Sequence, residues 1–396
     1  MTRGSARLKG LALACAVASV PAPAAAEQVT RTPLAAGDTA QALEAGPDGR
    51  LWLTLGAGSA GSDRLLALGP GSASRVYAVK SGTAGGGLVT GGDGALWSGG
   101  EDGSNVSRTT TAGATSTVAL PPHGLRRFTD AVRAGDGAVW FGGDAGLVRI
   151  GMDGAVERYE LNDPLQPGEQ RAPQQWPTPP LRLAAGADGN IWFVGDQDVV
   201  GRLVPGQGYS SFTIPHDETQ PIEAAGIAAG PDGALWVAVR NERELVRVAT
   251  DGSMTRVALR GPADGAIEAD GGVLWVAMDH PSQPGRHYLA RVQPGGAISY
   301  VEVGFEVIRL AGGAGVLVNG LQDEGRTVVR VLSDAARSCV VPRLRGLSLA
   351  QARRRLAAAN CRLGRVRGRR RGRVRSQSPR AASVRPAGTK VRVRMR

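Results

Sequence analysis

Cysteine, histidine and aromatic residues are all scarce in this chain. Three cysteines and four histidines in 396 residues cannot supply the close-set ligand pairs of a structural zinc module. Residues 339–396 contain no Phe, Trp or Tyr and no Asp or Glu. The first absence removes a platform on which bases could stack and argues against nucleic acid as a partner. The second leaves 19 Arg or Lys in that segment with no acid to offset them. No apolar run is long enough to span a bilayer. No phosphate-cradling glycine loop or Ser-His-Asp phrase stands out either.

What the chain does have is glycine, and a phrase built on it. The stretch from Ala224 to Leu259 reads as four short apolar runs, 225–229, 234–239, 244–249 and 254–259, with Asp232-Gly233 and Asp251-Gly252 at tight turns. Asp-Gly suits hairpins whose turn residues take positive φ. Related phrases end at Trp52, Trp97, Trp140, Trp192 and Trp275, and a degraded copy has Val318 in the tryptophan place. Steps from Trp52 to Trp275 are 45, 43, 52, 44 and 39 residues, with 43 more to Val318. Four strands per unit at that period indicate a β-propeller. A single such sheet cannot bury its two faces without copies on either side. The expected fold is therefore all-β, a seven-bladed propeller, followed by a small C-terminal α+β domain.

The two ends of the chain differ from the repeats. Residues 1–26 have a basic start (Arg3, Arg7, Lys9), an apolar run and Ala24-Ala25-Ala26, the pattern of a secretory signal peptide. The propeller is expected over 27–332, a linker over 333–338 and a basic domain over 339–396. Residues 27–338 hold 25 basic and 35 acidic residues, so an acidic propeller is joined to a strongly basic tail. Cys15 leaves with the leader. Cys339 and Cys361 remain as an even pair in an exported chain, read as a disulfide. Closing that loop would contribute on the order of 3 kcal/mol, useful to a module this small.

Strand direction decides which residues share a rim. The Asp-Gly turns, and the turns from third to fourth strand, lie on one rim. The blade crossings and the second-to-third loops lie on the other. The segment 28–34 resembles the fourth strands of the repeats and is expected to complete the last blade, closing the ring with a strand from the other end of the chain. The longest insertion, residues 162–180, is a blade crossing. His123, His216, His280 and His287 all fall in or beside the long loops. Binding residues gather on such loops over a rigid scaffold, although exposed loops also collect polar residues for no other reason. Calcium is not suggested by the Asp-Gly turns, which lack the alternating oxygen ligands of an EF-hand.

In the tail, Ser348 with Gln351 forms a capping box, and Leu349, Ala352, Leu356 and Ala359 fall on one helix face. Strands are expected near 364–366 and 391–393, with Gln377-Ser378-Pro379 as a turn between them. The arginine run containing Arg369, Arg370, Arg371 and Arg373 suggests a polyanion-binding surface, or equally a solvated one.

Two resemblances follow from these residues. Val341-Pro342, the run from Gly346 to Ala352, Cys361 to Gly364, Gln377-Ser378-Pro379 and the run from Gly388 to Val391 resemble a PASTA module. That resemblance implies an extracellular setting and association with peptidoglycan fragments or β-lactams. The Gly-Pro-Asp-Gly-x-Leu-Trp phrase resembles the repeats of the streptogramin B lyase family. In those enzymes a Glu-Pro-His-Gly-Ile phrase supplies Glu and His, with magnesium, for elimination from a cyclic depsipeptide ester. Here the pair is split. Glu223 precedes Ala225 where the histidine would stand, and His123 follows Pro121 where the glutamate would stand. The reading that results is a secreted cell-envelope binding protein. Its tail is expected on peptidoglycan or anionic wall polymers, and its propeller on a ligand or partner through His216, His280 and His287. The alternative is a lyase using Glu223, His123 and magnesium.

Overall fold

A computed structural model of the chain describes residues 28–396 except 57–62, 70–73, 81, 83–84, 101–102, 122–126, 144–145, 162–181, 196, 218, 220, 241, 271, 281, 295, 304, 313–316, 323–325, 333–337, 359–360, 370, 382–383 and 387–388. The leader 1–26 and His123 therefore lie outside the described residues. Among those described there are seven four-stranded antiparallel sheets, six of them formed by consecutive strands. The chain is a seven-bladed β-propeller with a small α+β unit after it.

Burial grades outward across each blade. In the fifth, the inner strand Ala224–Ala229 and the second strand Leu235–Val239 are almost wholly buried, whereas the outermost, Met254–Ala258, is mostly exposed. A second strand packed on both faces is a continuous apolar run rather than an alternating one. The apolar cores lie between blades. One joins Trp192 and Val200 of the fourth blade to Val237 and Val246 of the fifth. Another joins Leu43 and Leu53 of the first to Ala311 and Val328 of the seventh. Every blade thus leans on its neighbours, and the ring is continuous.

The seventh sheet takes its outermost strand from the other end of the chain. Gln28–Pro33 pairs antiparallel with Thr327–Leu332 over six residues, Gln28 opposite Leu332 and Pro33 opposite Thr327. The exposed edge that Thr327–Leu332 would otherwise offer is covered.

The recurring phrase has a physical reason at each position. In Gly230-Pro231-Asp232-Gly233-Ala234-Leu235-Trp236, a Cβ on Gly230 would stand 2.4 Å from the indole of Trp236, so only glycine fits. Gly233 sits at φ 79°, a left-handed turn position. Asp232 Oδ1 accepts the Trp236 indole N–H at 3.1 Å and the Ala234 amide at 3.3 Å, and Oδ2 accepts Arg247 Nε at 2.6 Å. Asp93 repeats the arrangement with Trp97, Ala95 and Arg108. Partial burial pushes Asp232 up, but Arg247, Trp236 and Ala234 together hold its carboxyl below the usual range. The aspartate joins turn, second strand and third strand at one point.

In the tail, helix Leu349–Ala358 packs Ala352 and Leu356 against Val374, Val391 and Val393. The capping box is reciprocal: Ser348 N–H to Gln351 Oε1 at 3.0 Å, and Gln351 N–H to Ser348 Oγ at 3.3 Å. The expected turn at 377–379 needs correction. Gln377 and Ser378 end a strand, Val374–Ser378, which pairs antiparallel with Lys390–Met395. Arg362–Arg367 pairs with Lys390–Met395 in parallel on the other side. The additional strand has little apolar content because only Val374 of its residues is buried. A short pair, Ser338–Val340 with Val384–Pro386, completes the unit.

Candidate functional site

The inner strands enclose a central cavity of about 1010 Å³, large enough for a drug-sized ligand. It is charged rather than apolar. Glu44 and Glu268 stand in it, each partly exposed to the cavity and otherwise surrounded by protein. Burial pushes the Glu44 carboxyl up to about 7, against hydrogen bonds from Thr90 and the pull of Arg133. Burial, followed by the charge of Glu44, pushes Glu268 up to about 8, with the Gly312 amide opposing. Two carboxyl groups sharing a poorly solvated space cannot both ionise cheaply.

Nearer the long-loop rim the cavity turns basic. Arg182 and Arg309 begin the inner strands of the fourth and seventh blades. Both donate to the Thr129 carbonyl on the third blade, at 3.3 and 3.2 Å. Burial, then the Arg182 charge, brings the Arg309 guanidinium down to about 10, with Asp130 opposing. Asp130 accepts the Leu183 and Ala131 amides at 2.9 and 3.0 Å.

On the same rim Asp264, Asp279 and His287 present ligand atoms within 4.8 Å of one another. Asp264 opens the inner strand of the sixth blade. Asp279 ends the second strand of that blade and His287 starts the third. Burial, then Asp279 and Glu306, pushes Asp264 up to about 7, with Arg240 opposing. Among the described residues no hydrogen-bond donor reaches Asp264 Oδ2. His287 Nδ1 is 2.6 Å from Asp279 Oδ1. Two carboxylates and an imidazole could hold a divalent ion. Magnesium prefers oxygen ligands throughout, and this mixed set suits a transition metal better.

The residues singled out from sequence fall as follows. Glu223 is engaged by Arg240, whose Nε donates to its carboxylate at 2.5 Å and whose amide donates to its carbonyl at 2.8 Å. His216 Nδ1 is 3.0 Å from the Ile214 carbonyl and 3.7 Å from Asp198. His280 accepts the Ser282 amide and lies 5.6 Å from the Tyr288 ring. Among the described residues, His287 is the one of the three rim histidines that belongs to a cluster of three potential ligands. Cys361 is buried in the tail core and is not free; the side chain of Cys339 lies outside the described residues. Arg369, Arg371 and Arg373 are exposed in the turn before Val374, with Arg373 donating to the Gly346 carbonyl at 3.0 Å, and Arg370 is not described.

A broader basic surface was not anticipated. In Lys390–Met395 burial alternates, so Val391, Val393 and Met395 face the core and Lys390, Arg392 and Arg394 face outward. Arg362 pairs with Lys390 and Arg367 with Arg394 across the parallel ladder. The outer face of the sheet is thus cationic along Arg362–Arg367 and Lys390–Met395, with Ser376 and Ser378 on the third strand. Among the described residues none of these cations has an ion pair, since the segment contains no acid. The alternation of Val and Arg over 391–394 was the available signal.

The cavity acids also had one. Strand register sets one inner residue opposite each tryptophan. That residue is Val89, Val132, Ala184 or Ala228 in four blades, but Glu44 and Glu268 in the other two. A carboxylate at an otherwise apolar repeat position marks a site rather than scaffolding.

Comparison with known proteins bears on both units. Residues 340–395 match the family model of the PASTA domain. No curated protein matches the sequence. The propeller has the fold of the streptogramin B lyases. A catalytically inactive virginiamycin B lyase from Staphylococcus aureus with quinupristin is 19% identical, with 77% of this chain and 99% of that one covered at a TM-score of 0.61. A streptogramin B lyase structure is 16% identical over 78% and 98%, also at 0.61. The WD40 propeller domain of Doa1 is 11% identical over 78% and 96%, at 0.55. At these identities the likeness is one of fold. No helix among the described residues is long and apolar enough to cross a membrane.

Proposed function

We propose that this protein is an exported cell-envelope binding protein. Residues 1–26 direct export, the propeller over 27–332 engages a ligand or partner, 333–338 link, and 339–396 hold the protein to peptidoglycan or anionic wall polymer. The observation that carries the reading is the cationic sheet face on a unit matching the PASTA domain, a domain associated with peptidoglycan-related ligands. Elimination on a cyclic depsipeptide ester is the less supported reading, because the carboxylate it would use, Glu223, is held by Arg240.

Sedimentation of the full chain with purified sacculi tests the proposal. Nineteen positive charges without a negative one repel each other, and a polyanion relieves that repulsion and releases counterions. Binding is expected to fall by roughly tenfold or more between low and physiological salt. Replacing Arg367, Arg392 and Arg394 with Gln should weaken it, as should replacing Arg369, Arg371 and Arg373. Pelleting unaffected by salt and by both sets of changes would dismiss the electrostatic anchor.

The tail is further proposed to be stapled by a Cys339–Cys361 disulfide. Thiol titration of the unfolded, unreduced protein freed of residues 1–26 should find no free thiol, and reduction should lower the stability of the tail by about 3 kcal/mol while the propeller transition stays in place. Two reactive thiols would contradict the pairing.

A further inference from the structure

The sheet of the tail has one covered face and one bare face. Helix Leu349–Ala358 covers the first, with Ala352 and Leu356 packed on Val374, Val391 and Val393. On the bare face the central strand presents Lys390, Arg392 and Arg394, all exposed. Parallel register sets Arg362 beside Lys390 and Arg367 beside Arg394. Antiparallel register on the other side sets Ser378 beside Arg392 and Ser376 beside Arg394. Like charges paired across a ladder destabilise a sheet. Nothing within the tail offsets them, since residues 339–396 contain no Asp or Glu. The track of charge continues past the strands. The Arg396 amide donates to the Arg373 carbonyl at 3.0 Å, which brings the turn bearing Arg369, Arg371 and Arg373 to the end of the central strand.

We propose that this bare face is the binding track for a linear phosphodiester polymer, of the poly(glycerol phosphate) kind, lying along the central strand. This rests on the reading of the tail as a wall anchor and names the chemistry of the polymer it grips.

Spacing selects a chain over a single ion. Cations two residues apart on a strand stand about 6.6 Å from each other, and neighbouring rows lie about 4.8 Å apart. From Lys390 to Arg396 the track runs about 20 Å. A lone phosphate meets one or two of these cations, whereas a chain meets the whole track and gains affinity from each linked contact. Shape selects the phosphodiester. Its two non-bridging oxygens splay to either side of the chain, so one can reach each row. Arginine forks and serine hydroxyls both bond phosphate oxygens. A side-chain carboxylate is planar and presents both oxygens along one edge, which fits a single fork. What the face lacks excludes other partners. Residues 339–396 hold no aromatic ring on which a base could stack. Leu363, Val366, Val391, Val393 and Met395 all pack into the core, so the two cationic strands have no apolar side chain to bury in a lipid interface.

The full chain freed of residues 1–26 is titrated at pH 7 with poly(glycerol phosphate), with glycerol phosphate and with polyglutamate of matched charge. Saturable binding of the polymer is expected. Glycerol phosphate should bind at least about a hundredfold more weakly, and polyglutamate should fall between. The double change Arg392→Gln, Arg394→Gln should weaken polymer binding by about tenfold or more. It should leave the tail as stable as before or more so, because mutual repulsion falls. Arg353→Gln with Arg354→Gln removes the same charge from the exposed side of the helix and should cost far less. Arg392→Lys with Arg394→Lys keeps the charge without the fork and should lie between the parent and the Gln pair. Sacculi bearing the polymer are then compared before and after hydrofluoric acid, which cleaves phosphodiesters and leaves glycan and peptide in place. Pelleting should be lost with the polymer. Undiminished pelleting on stripped sacculi would keep the wall anchor and overturn the phosphodiester track. Equal binding of polyglutamate, tighter binding of phosphatidylglycerol vesicles, or equal losses from the helix and sheet variants would overturn it too. Polymer bound in solution without pelleting on either kind of sacculus would support the track and count against the wall anchor, so the two failures are told apart.

Discussion

A chain lacking residues 28–33 is expected to lose the single cooperative melt of its propeller. The segment contributes the whole outermost strand of the seventh blade, with six residue pairs to Thr327–Leu332. Arg31 extends the effect to the next blade. Its Nη2 donates to the Val303 carbonyl at 2.8 Å, and its guanidinium lies 4.3 Å from the centre of the Phe305 ring. Removal uncovers a strand edge and cuts the chain link between the seventh blade and the first. Blades are stabilised mainly by the blades beside them, so one weakened interface opens the ring rather than fraying one sheet. Against a total stability of about 5–15 kcal/mol, loss of several kcal/mol should broaden the transition and lower Tm by about 10 °C or more. Arg31→Ala alone should cost about 1–2 kcal/mol. Melts followed by tryptophan emission make the comparison, since every tryptophan from Trp52 to Trp275 is in the repeats or their insertions. A deletion that melts like the parent would show that the ring does not depend on this closure.

Much of this architecture could be read in the chain because each repeat solves the same local problem. Gly230 clears space for Trp236, Gly233 supplies the left-handed turn, and Asp232 binds turn and indole together. Those demands act over a few residues, so they recur as a phrase. The strand Gln28–Pro33 was legible too, since it carries the character of an outer strand with no blade before it. The functional site was less so. Arg182 and Arg309 meet Thr129 from 53 and 180 residues away, and nothing local announces a contact of that range. Pairing of Glu223 with Arg240 depends on two adjacent strands turning both side chains to one rim. Lys390–Met395 shows the opposite case. Its alternation is plain in the sequence, but the arginine run at 369–373 is the denser local signal, whereas the cationic face forms only when Arg362–Arg367 pairs beside Lys390–Met395.

Stability of the propeller should be greatest in mild acid and decline through neutrality. Glu44 and Glu268 have folded pKa values of about 7 and about 8 against an ordinary value of 4.5. Between 4.5 and those values the folded chain keeps protons that the unfolded chain has released. Stability from these groups is therefore complete below about pH 4.5 and is lost as pH rises through 7 and 8. The groups that face them set the size of the effect. Glu268 meets Glu44, Asp270 and Asp130, with the Gly312 amide in opposition. Glu44 meets Asp130, with Thr90 and Arg133 in opposition. Asp264, also raised to about 7, acts in the same direction. At the acid end Asp48, Asp93, Asp136 and Asp232 act the other way, because their carboxyls are held below the usual range. Their contribution is present above the ordinary carboxylate pKa and disappears as pH falls through their lower folded values. The maximum should thus fall near pH 4–5, with a clear decline by pH 8. Glu268→Gln keeps the shape of the side chain and removes the charge. It should raise stability at pH 8, leave it nearly unchanged at pH 5, and flatten the slope between. Glu44→Gln should do the same to a smaller degree, and the pair should not be additive, because each carboxylate raises the other. Urea unfolding at pH 5, 6.5 and 8 measures all of this. A parent protein with equal stability at the three values, or a Glu268→Gln variant less stable than the parent at pH 8, would show that the cavity carboxyls ionise freely and are not held protonated by the fold.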